Sequence, residues 1–425
     1  MTTPQTRTRP RFIRPETSPF TPGVPAAPDL FTGRADQVRV LLRKARAAAG
    51  GRLEVAFLSG SRGIGKSSLS RFAAAVSERA SGMLPIHVFL GGATSPDEVV
   101  RRSLDRLANV ARPKPWWEQL RSLFGERLTQ VGLFGASVQF APKPEELVGL
   151  TSGFGMVLAE VVEALPERRS GLFLILDDLN GLGESTEFAT WLKSFVDTVA
   201  VDQTRLPLFV LLVGGDEVRR QLIRRHESVA RFLDPVHIAP WSPEKSTRFF
   251  RRAFASAAMT IEADSVDLFT LFAGGMPVLA HELGDVAFRL GAGRTVTRRE
   301  AEQALPAAAE ILGRKYLEAQ VLDRLRSAKY RALLGRFPEM VRAGIMRRRE
   351  IRPRLPGGER RVFDNFLREM VRRGILERVP DLGPGCYRFV QDLHFLYFCV
   401  RAVEIAGAGR HRTRRPRPST RRSST

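Results

Sequence analysis

The stretch LSGSRGIGKSSLS, residues 58–70, decides the fold. The apolar run LEVAF precedes it, and a segment with a helical pattern follows it. Between them, residues 60–67 fit the spacing G-x-x-x-x-G-K-[ST] at every fixed position. Glycines let such a loop curl so that successive backbone N–H groups point inward, and the N-terminus of the next helix adds its positive dipole end. The pattern therefore predicts a strand, a phosphate-binding loop and a helix.

Two side chains of this loop have predicted roles in holding ATP and Mg²⁺. Lys66 is expected to reach the β- and γ-phosphates, and the Ser67 hydroxyl is expected to ligate the metal. A glycine-rich turn that matches by chance is the alternative, and the strand–loop–helix context argues against it. The predicted nucleotide-binding residues of the loop are Gly60, Ser61, Arg62, Gly63, Ile64, Gly65, Lys66, Ser67 and Ser68.

The composition is that of a globular protein, and its two cysteines are compatible with a reducing compartment. The 425 residues are 43% hydrophobic and 26% charged, and no apolar run approaches the ~20 residues that span a membrane. The N-terminus is positively charged but lacks an apolar core, so no secretory signal is expected. Cys386 and Cys399 stand in no metal or redox spacing, and the six histidines are scattered. We expect a cytoplasmic protein without a disulfide framework, a zinc site or a membrane partner.

The net charge of +22 is concentrated at the C-terminal end of the chain. Residues 35–313 carry 34 basic and 32 acidic groups, whereas residues 314–425 carry 28 basic and 11 acidic groups. A negatively charged partner, if there is one, is therefore expected to bind the C-terminal part of the chain.

The middle of the chain alternates between apolar runs and helical patterns. Such short, continuously apolar strands are typical of a parallel sheet covered on both faces. Residues 113–142 interrupt the alternation with a segment that reads like a hairpin, and residues 243–312 read as entirely helical. The predicted strands are Leu53–Leu58, Leu84–Leu90, Leu172–Leu176, Leu208–Val213 and Val236–Ala239.

Paired carboxylates follow one of these strands, in the segment LFLILDDLN. Asp177 is expected to hold Mg²⁺, and Asp178 to act as the base that polarises the attacking water. A solvated turn is the alternative for such a pair. The next strand ends in two glycines and Asp216, a candidate sensor of the γ-phosphate. Arg231 precedes the last strand and is either a residue that reaches a neighbouring subunit's γ-phosphate or an ordinary surface arginine.

Several motifs occur in the order of a known family. They are FTGR at 31–34, GSRGIGKS at 60–67, ILDDLN at 175–180, LLVGGDE at 211–217, S-x-x-R-F at 228–232 and GGMP at 274–277. Residues 30–400 thereby resemble the AAA+/STAND-type ATPases close to the origin-recognition initiators and their prokaryotic relatives.

The resemblance implies an α/β P-loop NTPase fold, with a parallel sheet sandwiched by helices, a helical lid and a C-terminal winged helix. It also implies that Gly33 and Arg34 border the adenine pocket, and that the chain forms a nucleotide-dependent homo-oligomer. The lid segment GGMPVLAHEL lacks the arginine that initiator-type members often carry there, which favours a slow nucleotide switch. The implied organisation is a disordered tail at 1–29, an ATPase core at 30–241, a lid at 242–313, a winged helix at 314–408 and a basic disordered tail at 409–425.

The segment GGERRVFDNFLREMVRRGI, residues 357–375, predicts a helix with an apolar stripe on one face. Arg361, Asn365, Arg368 and Arg372 fall on another face and are predicted to contact double-stranded DNA. A solvated helix that uses arginine without specific meaning is the alternative. Two strands joined by a tight turn are predicted after the helix, as in the wing of a winged helix.

Two functions from different classes follow. The first is a Mg²⁺-dependent ATPase whose nucleotide state controls DNA engagement through the basic winged helix. The second is a slow or non-hydrolysing signalling or scaffold ATPase whose winged helix binds protein. A metabolic kinase is less well supported, because no compact substrate motif follows the loop.

Overall fold

The computed structural model describes residues 17–24, 31–131, 137–201, 205–291, 293–322, 327–342 and 344–411. The chain divides into two compact units. We call Pro25–Pro240 the sheet unit, and Met1–Val24 together with Trp241–Thr425 the helical unit. The predicted lid and winged-helix regions thus fall within a single compact unit.

The sheet unit contains seven strands within its described residues. They are β1 (Leu53–Ser59), β2 (Met83–Phe89), β3 (Leu128–Val131), β4 (Ser137–Phe140), β5 (Gly171–Asp177), β6 (Leu208–Val213) and β7 (Asp234–His237). Five of them form a parallel sheet in the order β2-β5-β6-β1-β7. All five predicted parallel strands are confirmed, with ends that differ by at most two residues. Every residue of β5 and β6 is buried, as expected for strands covered on both faces.

Helices surround this sheet. They are α1 (Ala35–Ala49), α2 (Lys66–Ser81), α3 (Pro96–Ala111), α4 (Trp117–Phe124), α5 (Pro144–Ser152), α6 (Phe154–Glu163), α7 (Thr186–Val201) and α8 (Asp216–Arg225). The alternation of helices with parallel strands confirms the predicted α/β P-loop fold. Strands β3 and β4 pair antiparallel, which confirms the hairpin predicted within 113–142. Its tip, residues 132–136, lies outside the described residues.

The register of the sheet brings the carboxyl ends of the central strands to one level. Leu58 of β1 pairs with Val213 of β6, and Val213 also pairs with Asp177 of β5. In open parallel sheets, ligands bind in the crevice beyond these strand ends. The phosphate loop and the paired carboxylates are therefore delivered to the same edge of the sheet.

The helical unit begins with α9 (Pro243–Ser256), α10 (Ala263–Ala273), α11 (Pro277–Leu290) and α12 (Arg298–Leu312). The prediction that residues 243–312 are entirely helical is wrong in one respect. Strands β8 (Thr260–Ile261) and β9 (Thr295–Val296) pair in parallel, and the hydroxyls of Thr260 and Thr295 lie 2.8 Å apart. Two-residue strands are too short to show a sequence period, so the helical pattern around them dominated the prediction.

Residues 17–24 also belong to the helical unit, so the disorder predicted for residues 1–29 does not hold there. Phe20 is 3% exposed, and its ring packs 4.9 Å from that of Phe254 and 5.9 Å from that of Phe249. The Thr21 N–H donates to Nδ1 of His281 at 3.0 Å. A single aromatic residue in a Pro- and Thr-rich segment supplies enough apolar surface to anchor it.

The C-terminal part contains a π-helical segment (Gly313–Leu322), α13 (Ala328–Gly335), α14 (Phe337–Met340), α15 (Arg348–Ile351), α16 (Gly357–Arg372) and α17 (Asp392–His411). Strands β10 (Met346–Arg347), β11 (Leu376–Arg378) and β12 (Cys386–Phe389) form an antiparallel sheet in the order β10-β12-β11. The predicted strand pair is present, but a third strand, β10, was not predicted. The identification of this part as a winged helix stays a prediction. Residues 412–425 of the predicted basic tail lie outside the described residues.

Candidate functional site

The phosphate loop runs from the end of β1 into α2 as the sequence predicts. Gly60 has φ +150°, and a Cβ atom there would lie 2.8 Å from the Ile238 carbonyl oxygen, so a side chain has no room. Gly65, with φ +95°, turns the chain into α2. Ile64 is buried, whereas Ser61 and Arg62 are exposed. The loop is thus anchored by one apolar side chain and presents its remaining backbone outward.

The Lys66 side chain folds back over the phosphate loop. It donates to the carbonyl oxygen of Gly60 at 2.9 Å and to that of Ser61 at 3.0 Å. Burial lowers the pKa of Lys66, while the negative charges of Asp177, Asp216 and Asp178 act in the opposite direction. The structure therefore brings the predicted phosphate-binding lysine within electrostatic reach of all three predicted carboxylates.

Asp177 ends β5 and is 4% exposed. Its Oδ2 atom lies 2.9 Å from Nε2 of His87, which is on the neighbouring strand β2. The His87 ring stacks on Phe89 with 4.5 Å between centroids. Sequence reasoning missed His87, although a histidine inside the otherwise apolar run MLPIHVF was an available signal. His87 holds the Asp177 carboxylate in one orientation.

Asp178 is exposed and adopts the left-handed conformation, with φ 66° and ψ 58°. A non-glycine residue in this region is strained, and such strain concentrates at functional sites. The Asn180 amide donates to Oδ1 of Asp178. A Cβ atom at Gly91 would lie 2.9 Å from Oδ2 of Asp178, so a larger residue there would displace this carboxylate.

Asp216 lies beyond β6, where the sequence suggested a sensor of the γ-phosphate. Its Oδ1 atom is 3.2 Å from Nδ1 of His237, at the end of β7. Burial acts to raise the pKa of Asp216, but hydrogen bonds from the Ser59 and His237 side chains hold it below its usual value. Asp216 is thus an ionised carboxylate that joins the ends of β1, β6 and β7.

Arg34 and Gly33 come just before α1, and Gly33 has φ +78°. Arg34 is 6% exposed. Its guanidinium donates to the carbonyl oxygen of Ile64 at 3.3 Å and to that of Ala239. Burial lowers its pKa to about 10. Arg34 therefore ties the phosphate loop to the segment after β7, a bracing role that the sequence did not reveal; its predicted place beside adenine stays a prediction.

Arg231 ends a short 3₁₀ helix, Glu227–Arg231, and is exposed. Its Nη2 atom lies 3.8 Å from Oδ1 of Asp197, and its Nε–H donates to the Ser228 carbonyl at 3.4 Å. An exposed arginine with one long ion pair is available to a second subunit. The same geometry suits an ordinary surface arginine, so both readings stay open.

The four predicted DNA-contacting residues of α16 are all exposed. Arg361 donates to the Gly357 carbonyl at 3.4 Å, and Arg368 donates to the side-chain oxygen of Asn365. Arg372 donates to both carboxylate oxygens of Glu369, at 2.9 and 2.7 Å. Arg361 and Arg368 thus make no ion pair with a carboxylate among the described residues, whereas Arg372 shares the Glu369 carboxylate with Arg373.

The residues present suit Mg²⁺ bound together with a nucleotide. Within the described residues, no cluster of three histidine, cysteine, aspartate or glutamate side chains is able to hold a metal by itself. Mg²⁺ in nucleotide sites takes one or two protein ligands and completes its shell with phosphate oxygens and waters. The Ser67 hydroxyl and the Asp177 carboxylate stay the predicted pair of ligands. No helix of the described residues combines the length and the hydropathy that a membrane span needs.

Comparisons with known proteins agree with this geometry. Residues 30–213 match the family model of the AAA ATPase domain. The fold is similar to that of a Walker-type ATPase of Pyrococcus abyssi, with TM-score 0.52 and 16% identity over 87% of this chain and 95% of the other. It is also similar to the ORC2 protein of Aeropyrum pernix, with TM-score 0.55 and 14% identity over 88% and 94% of the two chains. No curated protein matches the sequence. Residues 30–213 are thus similar to an AAA ATPase domain, and the chain shares its fold with these two solved proteins.

Proposed function

We propose that the protein is a slow, Mg²⁺-dependent ATPase whose nucleotide state controls the engagement of double-stranded DNA by its basic C-terminal part. One observation carries the nucleotide half of this proposal. Lys66 sits between the carbonyls of the phosphate loop and three carboxylates, at the edge of the sheet where parallel strands end. Lys66 would contact the β- and γ-phosphates of ATP, and Mg²⁺ held by Ser67 and Asp177 would offset the negative charge of phosphates and carboxylates.

The roles of the individual residues follow from their positions. Lys66 and the backbone of the loop bind the β- and γ-phosphates, while Ser67 and Asp177 hold the metal. Asp178 orients and polarises the attacking water, for which its exposed carboxylate at the strand end is suited. Arg34 borders the adenine pocket from the position in which it also braces the loop.

Slow turnover is supported by two features. The Asp178 carboxylate is engaged by Asn180 and held in a strained backbone conformation, so hydrolysis requires it to be released toward water. In addition, α11 begins at Pro277, where initiator-type ATPases often carry a phosphate-contacting arginine. The ORC2 relative was solved as ADPNP–ADP complexes, which supports nucleotide binding by a chain of this fold.

DNA engagement is proposed for α16 and the sheet β10-β12-β11 behind it. Their arrangement has the helix and the antiparallel hairpin of a winged helix, and Arg361 and Arg368 project from the exposed face of α16. Guanidinium groups without a carboxylate partner are ready to contact phosphates and base edges. Residues 314–425 carry 28 basic and 11 acidic groups, which favours nucleic acid as the partner.

A second candidate is a nucleotide switch whose C-terminal part binds protein. Arginines paired with acids favour it, because Arg372 forms an ion pair with Glu369, which it shares with Arg373, and Arg348 makes a two-pronged ion pair with Asp364. These pairs reduce the positive field of α16 on one side. In this alternative the nucleotide site is unchanged, and the protein acts in the cytoplasm as a homo-oligomeric scaffold.

Duplex affinity measured in different nucleotide states tests the proposal. Fluorescence anisotropy with a labelled duplex should give a dissociation constant that differs by at least about tenfold between ATP and ADP. Asp178→Asn retains the shape of the site without the base, so with ATP this variant should keep the duplex affinity of the ATP-bound state. Arg361→Ala with Arg368→Ala should weaken DNA binding while ATP binding is retained. Equal duplex affinity with ATP, with ADP and without nucleotide would contradict the switch.

A further inference from the structure

The exposed face of α9 carries a group of basic side chains that the proposed function does not use. This helix buries one side in the helical unit, through side chains that include Phe249, Phe250 and Phe254. Its other side is exposed and carries Lys245, Arg248, Arg251 and Arg252, which we call the α9 basic face. At 100° per residue these four side chains occupy an arc of about 120°. The buried aromatic side holds the helix in place, so the basic face is displayed on a rigid support.

The three arginines of the α9 basic face have no internal partner in the described part of the chain. None of them forms an ion pair with a carboxylate or a hydrogen bond there. Some exposed arginines on other helices do pair with nearby acids, as Arg220 does with Glu217 on α8 and Arg298 does with Glu302 on α12. Uncompensated like charges repel one another, so a face of this kind is stabilised by an external anion.

An open hollow of about 700 Å³ lies along this face. It is lined by Pro243, Glu244, Thr247, Arg248, Arg251 and Arg252. The Ser242 side chain hydrogen-bonds to Glu244, the acid in this lining, which keeps its carboxylate at the N-terminus of the helix. A planar guanidinium group can donate two parallel hydrogen bonds to phosphate oxygens. Three such groups along one helix face suit the repeated phosphates of a polyphosphate chain.

The composition of the face distinguishes a nucleic acid from a membrane. A helix that binds a lipid surface inserts an apolar side between the headgroups. The large apolar side chains of α9 are buried within the unit, so they are not available for insertion. Charge complementarity without exposed apolar groups favours a phosphate backbone.

We propose that the α9 basic face is a second DNA contact, which binds the phosphate backbone of a duplex without regard to sequence. This inference rests on the proposed engagement of DNA by the same unit, and it adds a contact outside α16. The α16 arginines reach base edges, whereas α9 supplies affinity alone. The affinity contributed by α16 should therefore depend on the DNA sequence, whereas the affinity contributed by α9 should depend on salt and not on sequence.

The test uses the full chain with Arg248→Gln, Arg251→Gln and Arg252→Gln combined, because glutamine retains the helix propensity of arginine. Affinity for two unrelated duplexes is measured at several salt concentrations. Loss of three phosphate contacts should make the log–log salt slope less steep by about 2 to 3 and should weaken both duplexes equally. The matched control combines Arg43→Gln, Arg79→Gln and Arg106→Gln, three exposed arginines of the sheet unit. It removes the same charge and should leave the slope nearly unchanged.

Each outcome decides between the two proposals. An unchanged slope in the α9 variant, with binding lost in Arg361→Ala/Arg368→Ala, overturns the α9 contact and leaves the proposed function standing. Equal losses in the α9 variant and its control show that only net charge matters, which also overturns the contact. A parent protein that does not bind duplex DNA at low salt overturns both proposals, and the basic faces must then be assigned to an acidic protein. Far-ultraviolet circular dichroism of each variant confirms that the fold is retained.

Discussion

Replacement of Arg34 by methionine should weaken phosphate binding at least about tenfold while it changes the stability of the fold only modestly. The guanidinium donates to two backbone carbonyls, and hydrogen bonds from a charged donor contribute about 1.5–3 kcal/mol each, or about 3–6 kcal/mol together. Burial lowers its pKa from 12.5 to about 10, which corresponds to about 3 kcal/mol against the charged form. The two contributions nearly cancel. Removal of the arginine should therefore change the free energy of unfolding by only about 0–3 kcal/mol.

In phosphate binding, the loss of the Arg34 hydrogen bonds is not offset by relief from burying its charge. Without Arg34, the Ile64 carbonyl loses its partner, and the loop is free to sample arrangements in which its N–H groups do not converge. Calorimetric titration should show ATP and inorganic tripolyphosphate both binding at least about tenfold more weakly to Arg34→Met, since a loss of 1.4 kcal/mol corresponds to a factor of ten. Urea unfolding of the same variant measures the folding term separately. Arg34→Lys, which retains the charge but not the fork, should fall between the parent and the methionine variant.

The comparison of the two ligands separates the bracing role from a role in the adenine pocket. A residue that braces the loop affects both ligands by the same factor, because both are held through their phosphates. A residue that only touches adenine affects ATP and leaves tripolyphosphate unchanged. Unchanged tripolyphosphate affinity in Arg34→Met would refute the reasoning from the Ile64 contact.

Three further perturbations test other parts of the account. Phe20→Ala should lower the free energy of unfolding of the helical unit by about 2–4 kcal/mol, measured in urea, and no loss would mean that residues 17–24 do not anchor there. Burial lowers the pKa of His281 to about 4, although the charge of Asp285 acts in the opposite direction. Between pH 6.5 and 4 the unfolded state therefore binds more protons than the folded state, and the free energy of unfolding falls as the pH falls. The loss of stability from pH 7 to pH 5 should therefore be about 2 kcal/mol smaller in His281→Gln than in the parent. Arg231→Ala should bind ATP yet lose turnover and regain some activity when mixed with Asp178→Asn; parent turnover that is independent of protein concentration would argue against a role between subunits.

The sheet unit was predictable because its elements carry strong local signals. Each parallel strand is a short, continuously apolar run, and the spacing of Gly60, Gly65 and Lys66 admits few other structures. The paired carboxylates lie at the same edge of the sheet as the phosphate loop because parallel strands bring their carboxyl ends to one edge. The helix α16 was likewise predicted from its apolar stripe, and Gly374, with φ +68°, lies just beyond its end.

The features that the sequence did not reveal depend on contacts between distant residues. His87 precedes its partner Asp177 by 90 positions, and Arg34 reaches Ala239 across 205 positions. The two-residue strands β8 and β9 exist only because the chain brings them side by side. Phe20 lies in a composition typical of disorder and is ordered by a pocket over 200 residues away in sequence. Pattern reasoning detects periodicity, and none of these features has a period.

Calorimetric measurement of ATP binding by Lys66→Ala and by the parent, both with Mg²⁺, is the sharpest test of the nucleotide site. The ammonium is the positive side chain that faces Asp177, Asp178 and Asp216, so its loss leaves three carboxylates to repel the phosphates. We expect micromolar or tighter binding by the parent and no measurable binding by the variant, with the same unfolding midpoint for both in the absence of nucleotide. A variant that binds and hydrolyses ATP like the parent would contradict the assignment of this loop as the nucleotide site.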